Sequence, residues 1–150
     1  WESKSEEAFQ TELWGFLQLL HDVDFEDGNE WCSSASSDVA DPHFGFSLNG
    51  QAYFLVGMHP HASRLSRKTA QPTIVFNSHY QFERLRQMGM FEQLKERIRD
   101  RDVALQGSHN PEMVGTKEVS EARQYSGKRN PRDWMCPLNV RVKATQGKET

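Results

Sequence analysis

Phe44-Gly45-Phe46-Ser47-Leu48-Asn49-Gly50-Gln51-Ala52-Tyr53-Phe54-Leu55-Val56 is the stretch that decides the fold. Phe44, Phe46 and Leu48 alternate with His43, Gly45 and Ser47, which is the two-residue period of a strand with one apolar face. Asn49-Gly50 then tolerates the positive φ angles of a tight hairpin turn. Ala52 to Val56 is apolar without alternation, so the second strand is expected to be covered on both faces. Thr73-Ile74-Val75-Phe76 predicts a third strand.

Outward from this hairpin the period changes to that of helices. Phe9, Leu13, Phe16, Leu17 and Leu20 recur at spacings of three and four between Glu6 and Leu20, and Ser3 with Glu6 suits a capping box. His21 then reads as a capping or surface residue, and Asp22 to Asn29 as a solvated acidic loop. Gln81 to Met88, with Phe82 and Leu85, is a helix that Gly89 can end; Phe91, Leu94 and Ile98 carry another to about Asp102. These are core stripes rather than cofactor boxes. After Ala104 the periodicity fades, and 140–150 reads as a polar tail. The expectation is one α+β domain over 1–150, a mixed or antiparallel sheet with a hairpin near Asn49-Gly50 and flanking amphipathic helices.

The bulk numbers exclude several classes. With 26% charged and 36% hydrophobic residues, and four Trp and nine Phe, the chain has the material for a core and not the composition of a disordered one. A net charge of −3 supplies no field that gathers nucleic acid or an anionic membrane. No stretch approaches the roughly 20 apolar residues of a membrane span, and Trp1 to Glu7 has no apolar signal core. Cys32 and Cys136 are far apart and lack ligand spacing, so a reducing, cytoplasmic setting is expected. The chain starts without Met just before a helix pattern, as a fragment or a processed product does.

The chemistry concentrates between Gly57 and Pro72, long for a loop inside a compact domain. Pro60 biases His59 towards extended backbone and so fixes its direction. A neutral imidazole ligates haem iron or zinc when its other nitrogen finds an acceptor. By spacing alone, His59 and His61 are more often hydrogen-bonded loop residues. His79 would join them in a three-histidine zinc site if the second and third strands were parallel neighbours. Arg64 and Arg67 share one side of a helical turn and would aim at one anion, a carboxylate for instance, or form a solvated cluster. Cys136, as a thiolate, is a lesser candidate for iron. His43 and His109 sit in turn contexts. No GxGxxG, GxxxxGK[ST] or GxSxG is present, which removes the usual support for nucleotide binding and serine hydrolysis.

Four blocks in order resemble the YqcI/YcgG family. They are 54–60 (Phe-Leu-Val-Gly-Met-His-Pro) continuing through Arg64; 76–86 (Phe-Asn-Ser-His-Tyr-Gln-Phe-Glu-Arg-Leu-Arg); 98–107 (Ile-Arg-Asp-Arg-Asp-Val-Ala-Leu-Gln-Gly); and 120–127 (Ser-Glu-Ala-Arg-Gln-Tyr-Ser-Gly), followed by Asp133-Trp134-Met135-Cys136-Pro137. The likeness runs from about Glu6 to Pro137. Relative to the family pattern an N-terminal segment is missing and 112–118 is altered. Characterised relatives include haem-dependent enzymes that hydroxylate a nitrogen of arginine or of an arginine-derived guanidine. The resemblance therefore implies haem, molecular oxygen, an electron donor and a small guanidine-bearing amino acid as partners, with no nucleic acid and no membrane. It implies His59 as axial ligand, with His79, His61 and Cys136 as rivals. Arg64 and Arg67 would meet the haem propionates, while Arg123, Gln124 and Tyr125 would line the pocket. Glu121, or less plausibly Glu83, would pair with the guanidinium. A non-catalytic haem carrier or sensor and a zinc protein are the alternative readings.

Overall fold

The structure, a computed structural model, describes residues 4–107 and 119–144. His109, Asn110-Pro111, the altered 112–118 segment, Ser3 and the end of the polar tail lie outside the described residues. Helix α1 runs Glu6–Glu26. It starts at Ser5, whose Oγ accepts from the Ala8 amide at 3.1 Å, so the cap lies two residues beyond the expected Ser3. Phe9, Leu13, Trp14, Leu17 and His21 form its buried face, each large apolar side chain contributing about 1.5–3 kcal/mol by leaving water.

The helix does not stop at Leu20. His21 is four residues after Leu17 on the same stripe and only 2% exposed, not a surface cap. Its Nε2 accepts from the Arg141 amide at 2.8 Å, and the Arg141 guanidinium reaches Asp22 and Glu26 at 3.3 and 3.2 Å. The acidic stretch expected as a loop is thus the last turns of α1, with the first residues of the polar tail laid against it.

Strands β1 (Phe46–Leu48), β2 (Gln51–Met58) and β3 (Thr73–Ser78) form one antiparallel sheet in the order β1-β2-β3. Asn49 and Gly50 take φ of 48° and 73° in the two-residue turn that pairs Leu48 with Gln51. Both faces of β2 carry apolar partners, as its unbroken run predicts. Leu55 joins the core of Phe9, Leu13, Leu17, Phe44, Phe46 and Tyr125. Phe54 meets the rings of Tyr125 and Phe82 edge-on at 5.8 and 6.3 Å.

Helices α2 (His79–Gln87) and α3 (Phe91–Gln106) follow, joined through Gly89 at φ 71°. Phe54, Phe82 and Phe91 link them to the sheet edge to face. α2 buries no side chain and α3 buries only Asp102; α2 lies against β2 and β3, and α3 against α2 and the 65–67 turn, without adding to the core. A short turn of 3-10 helix, Glu121–Gln124, returns the chain to β2, where Gly57 N donates to Tyr125 O at 2.7 Å. Glycine is required there: a Cβ on Gly57 would lie 2.7 Å from that carbonyl and 2.8 Å from Phe9 Cε1.

Candidate functional site

His59 leaves the end of β2 and is 1% exposed. Its ring stacks on Phe9, with centroids 4.2 Å apart and planes 20° from parallel. Burial lowers its pKa, opposed by the Glu6 carboxylate and aided by His61, so the imidazole is held neutral. The backbone on either side of Pro60 is fixed: His59 N donates to Arg67 O at 3.0 Å, and His61 N donates to His59 Nδ1 at 3.3 Å. Nε2 has no hydrogen bond among the described residues. His61 itself is exposed.

The residues after Pro60 are tied down one by one. Ser63 donates from N and Oγ to Glu6 Oε1 at 2.7 and 2.8 Å. Arg64 pairs with Asp102 at 2.5 Å, Ser66 Oγ donates to the other Asp102 oxygen at 3.1 Å, and Leu65 N donates to Gln106 Oε1 at 2.7 Å. Arg67 donates to Gly57 O at 3.2 Å; its pKa is pulled down to about 10 by burial, with Asp102 acting the other way. Arg64 has its anion in the chain's own Asp102, whereas Arg67 bonds a carbonyl and feels the Asp102 charge only through space. Asp102 gives the mostly buried Arg64 the counter-charge that a buried cation needs whether or not a ligand is present.

The other end of β2 holds a second cluster. His79 Nε2 lies 2.8 Å from Glu121 Oε1, and Tyr125 Oη donates to Glu121 Oε2 at 2.5 Å. The same hydroxyl accepts from Phe46 N at 3.3 Å. Burial raises the Glu121 pKa, opposed by its bonds to His79 and Tyr125; burial, then the Glu121 charge, raise that of Tyr125. The imidazole rests on Gly45, where a Cβ would come within 2.5 Å of His79 Cε1. Each Glu121 oxygen thus has a partner inside the fold. Tyr125 is wholly buried and Gln124 nearly so, while Arg123 donates to the carbonyls of Asn130, Pro131 and Trp134 at 3.1, 2.8 and 3.4 Å. Arg123 and Tyr125 thus make hydrogen bonds within the chain. Glu83 pairs with Arg86 on the surface of α2 at 3.4 Å.

The antiparallel register separates the three candidate zinc histidines. Tyr53 pairs with Ser78 and Met58 with Thr73, so His79 and His59 flank opposite ends of β2, separated by roughly 20 Å at about 3.3 Å per residue. His59, His61 and His79 cannot share one ion, and no three metal-binding side chains gather among the described residues. Burial pushes the Cys136 thiol up to about 11.

Open grooves among the described residues include two beside α1. One of about 590 Å³ lies between Phe16 of α1 and Pro72, Ile74 and Phe76 on the β3 side. The other, about 380 Å³, lies between Trp14, Gly15 and Gln18 of α1 and Trp134 to Pro137. None of the expected site residues lines either one, Cys136 lying between the lining residues Met135 and Pro137. For a haem iron the candidate is His59: burial lowers its pKa and Phe9 covers one face of its ring, while the residue is 1% exposed and borders neither groove. Nδ1 must carry the ring proton for Nε2 to ligate, so the long contact from His61 N has to yield on binding. Sequence reasoning missed Asp102 and Glu6 as partners of this loop, since charges paired over such separations leave no local pattern. No helix among the described residues is long and apolar enough to cross a membrane.

No curated protein and no solved structure matches the chain. The sequence model of the YqcI/YcgG family matches residues 1–139, a span that takes in both ends of β2, the pinned loop and the Glu121 turn: the chain belongs to the YqcI/YcgG family.

Proposed function

We propose that this chain is a haem-dependent oxygenase that hydroxylates a nitrogen of arginine or of an arginine-derived guanidine, working in the cytoplasm with molecular oxygen and an electron donor. The observation that carries the reading is His59, a buried neutral imidazole in the Met58-His59-Pro60-His61-Ala62-Ser63-Arg64 block of a family whose characterised relatives include such enzymes. Bound haem would supply oxygen activation. The chain's own part is to keep the imidazole unprotonated, to hold its direction through the Arg67 carbonyl and Pro60, and to keep water from its Phe9 face.

The test is an absorption spectrum of the full-length protein reconstituted with haem, beside His59→Ala. A Soret band that His59→Ala loses or shifts supports the reading; no band in the wild type overturns it. Mass spectrometry after incubation with arginine-like guanidines, oxygen and a reductant then checks catalysis. A haem spectrum without hydroxylated product assigns the chain instead to haem carriage or sensing.

A further inference from the structure

We propose that Asp102 of α3 is the positioning residue of the His59 site, fixing the 63–67 segment and through it the imidazole. The inference rests on the reading of His59 as a ligand and names what holds it.

Asp102 is the one buried side chain of α3, 5% exposed, in a helix that offers the sheet no apolar stripe. A buried carboxylate is a poor source of stability, because its desolvation consumes most of what pairing returns; what such a pair fixes is geometry. Here one oxygen takes Arg64 and the other Ser66, two residues apart in the turn of 3-10 helix that ends at Arg67. Leu65 N, between them, is held by Gln106 one helical turn further along α3. Three consecutive residues are therefore set by one helix edge. Arg67 N donates to Arg64 O at 2.9 Å, and Arg67 O accepts from His59 N at 3.0 Å, so the position imposed at Arg64 passes to His59 through two backbone bonds. On the far side Ser63 is fixed by Glu6 of α1, so carboxylates from two helices anchor a loop whose own backbone bonds carry that placement to His59.

The experiment compares Asp102→Asn and Asp102→Glu with wild type, all full-length, by amide hydrogen exchange and by haem titration. In Asp102→Asn the His59 amide should exchange about tenfold faster or more, while Leu55 in the core keeps its protection. Haem affinity should fall by about 10- to 100-fold, the range for removing a group that orients a ligand, and Asp102→Glu should recover part of both. Unchanged His59 protection in Asp102→Asn overturns the proposal, as does a loosened loop with wild-type haem affinity. Should Asp102→Asn fail to fold, Ser66→Ala removes one of the two contacts, and no acceleration at the His59 amide then overturns it. If wild type takes up no haem, the functional reading fails, yet the exchange result still decides whether Asp102 positions the loop.

Discussion

The two ends of β2 each place a histidine beside the sheet and treat it in opposite ways. At the His59 end the ring is sealed against Phe9, its bonds are to backbone, and the charges stand one shell further out on Arg64, Arg67, Asp102 and Glu6. At the His79 end the ring is partly open and a buried carboxylate touches it directly. Burial alone favours a neutral imidazole, whereas a carboxylate fixes a proton on the nitrogen it faces. Tyr125 spans the difference. Its carbonyl takes Gly57 N near His59, and its hydroxyl holds Glu121 beside His79.

The largest effect is expected where one atom disturbs both ends. Gly57→Ala forces a Cβ against the Tyr125 carbonyl and the Phe9 ring, neither of which is a flexible chain end. We expect a loss of about 3 kcal/mol in denaturant unfolding, with the His59 amide losing protection. A cost below about 1 kcal/mol would mean that the 125–127 segment shifts freely and does not couple the two ends.

Tyr125→Phe should break one end and spare the other. It removes the donor to Glu121 Oε2 and the acceptor of Phe46 N while leaving the ring and the carbonyl bond to Gly57. About 1–3 kcal/mol is expected from buried groups left without a partner, with unchanged exchange at His59. Gly45→Ala acts more narrowly still. Its Cβ collides with His79 Cε1, and displacement of an imidazole that is 28% exposed lets solvent accept part of the strain, so about 1–2 kcal/mol is expected. In a double-mutant cycle with Glu121→Gln the two losses should fall short of additivity, because both break the same contact.

Much of the framework was legible because it is written in local periods. The Phe44 to Val56 stretch carries its own turn, and the stripe of α1 carries its own face. What escaped is what depends on direction and distance. Nothing in Thr73 to Phe76 says whether β3 runs parallel or antiparallel to β2, and that choice separates His59 from His79. Asp102 looks like one more charge on a polar helix; its burial is decided by Arg64, 38 residues away in sequence. The Glu121–Tyr125 bond was closer to view, at a spacing of four, but reading those residues as pocket walls took no account of His79 as the partner that consumes the remaining oxygen. Gly45 is the hardest case, since its contribution is the space that a missing carbon leaves.

A third histidine sharpens the contrast between burial and a carboxylate. His21 is sealed as His59 is, and burial lowers its pKa below the ordinary 6.5; Asp22 opposes this, Arg141 adds to it and Asp24 opposes it. Its Nε2 accepts from the Arg141 amide, so the neutral ring carries its proton on Nδ1, which has no partner among the described residues. Because the folded pKa is the lower one, the unfolded chain takes up the proton first as the solution is acidified. The stability contributed by the neutral ring is therefore present above pH 6.5 and is lost as pH falls from there through the folded pKa. His21→Gln keeps an oxygen that can accept from Arg141 N but cannot titrate. Thermal unfolding followed from pH 8 to pH 5 should fall less steeply for this variant below pH 6.5, the smallest effect of the set. Parallel curves would show that Asp22 and Asp24 compensate the buried charge, and that proximity to carboxylates, not burial, governs this ring.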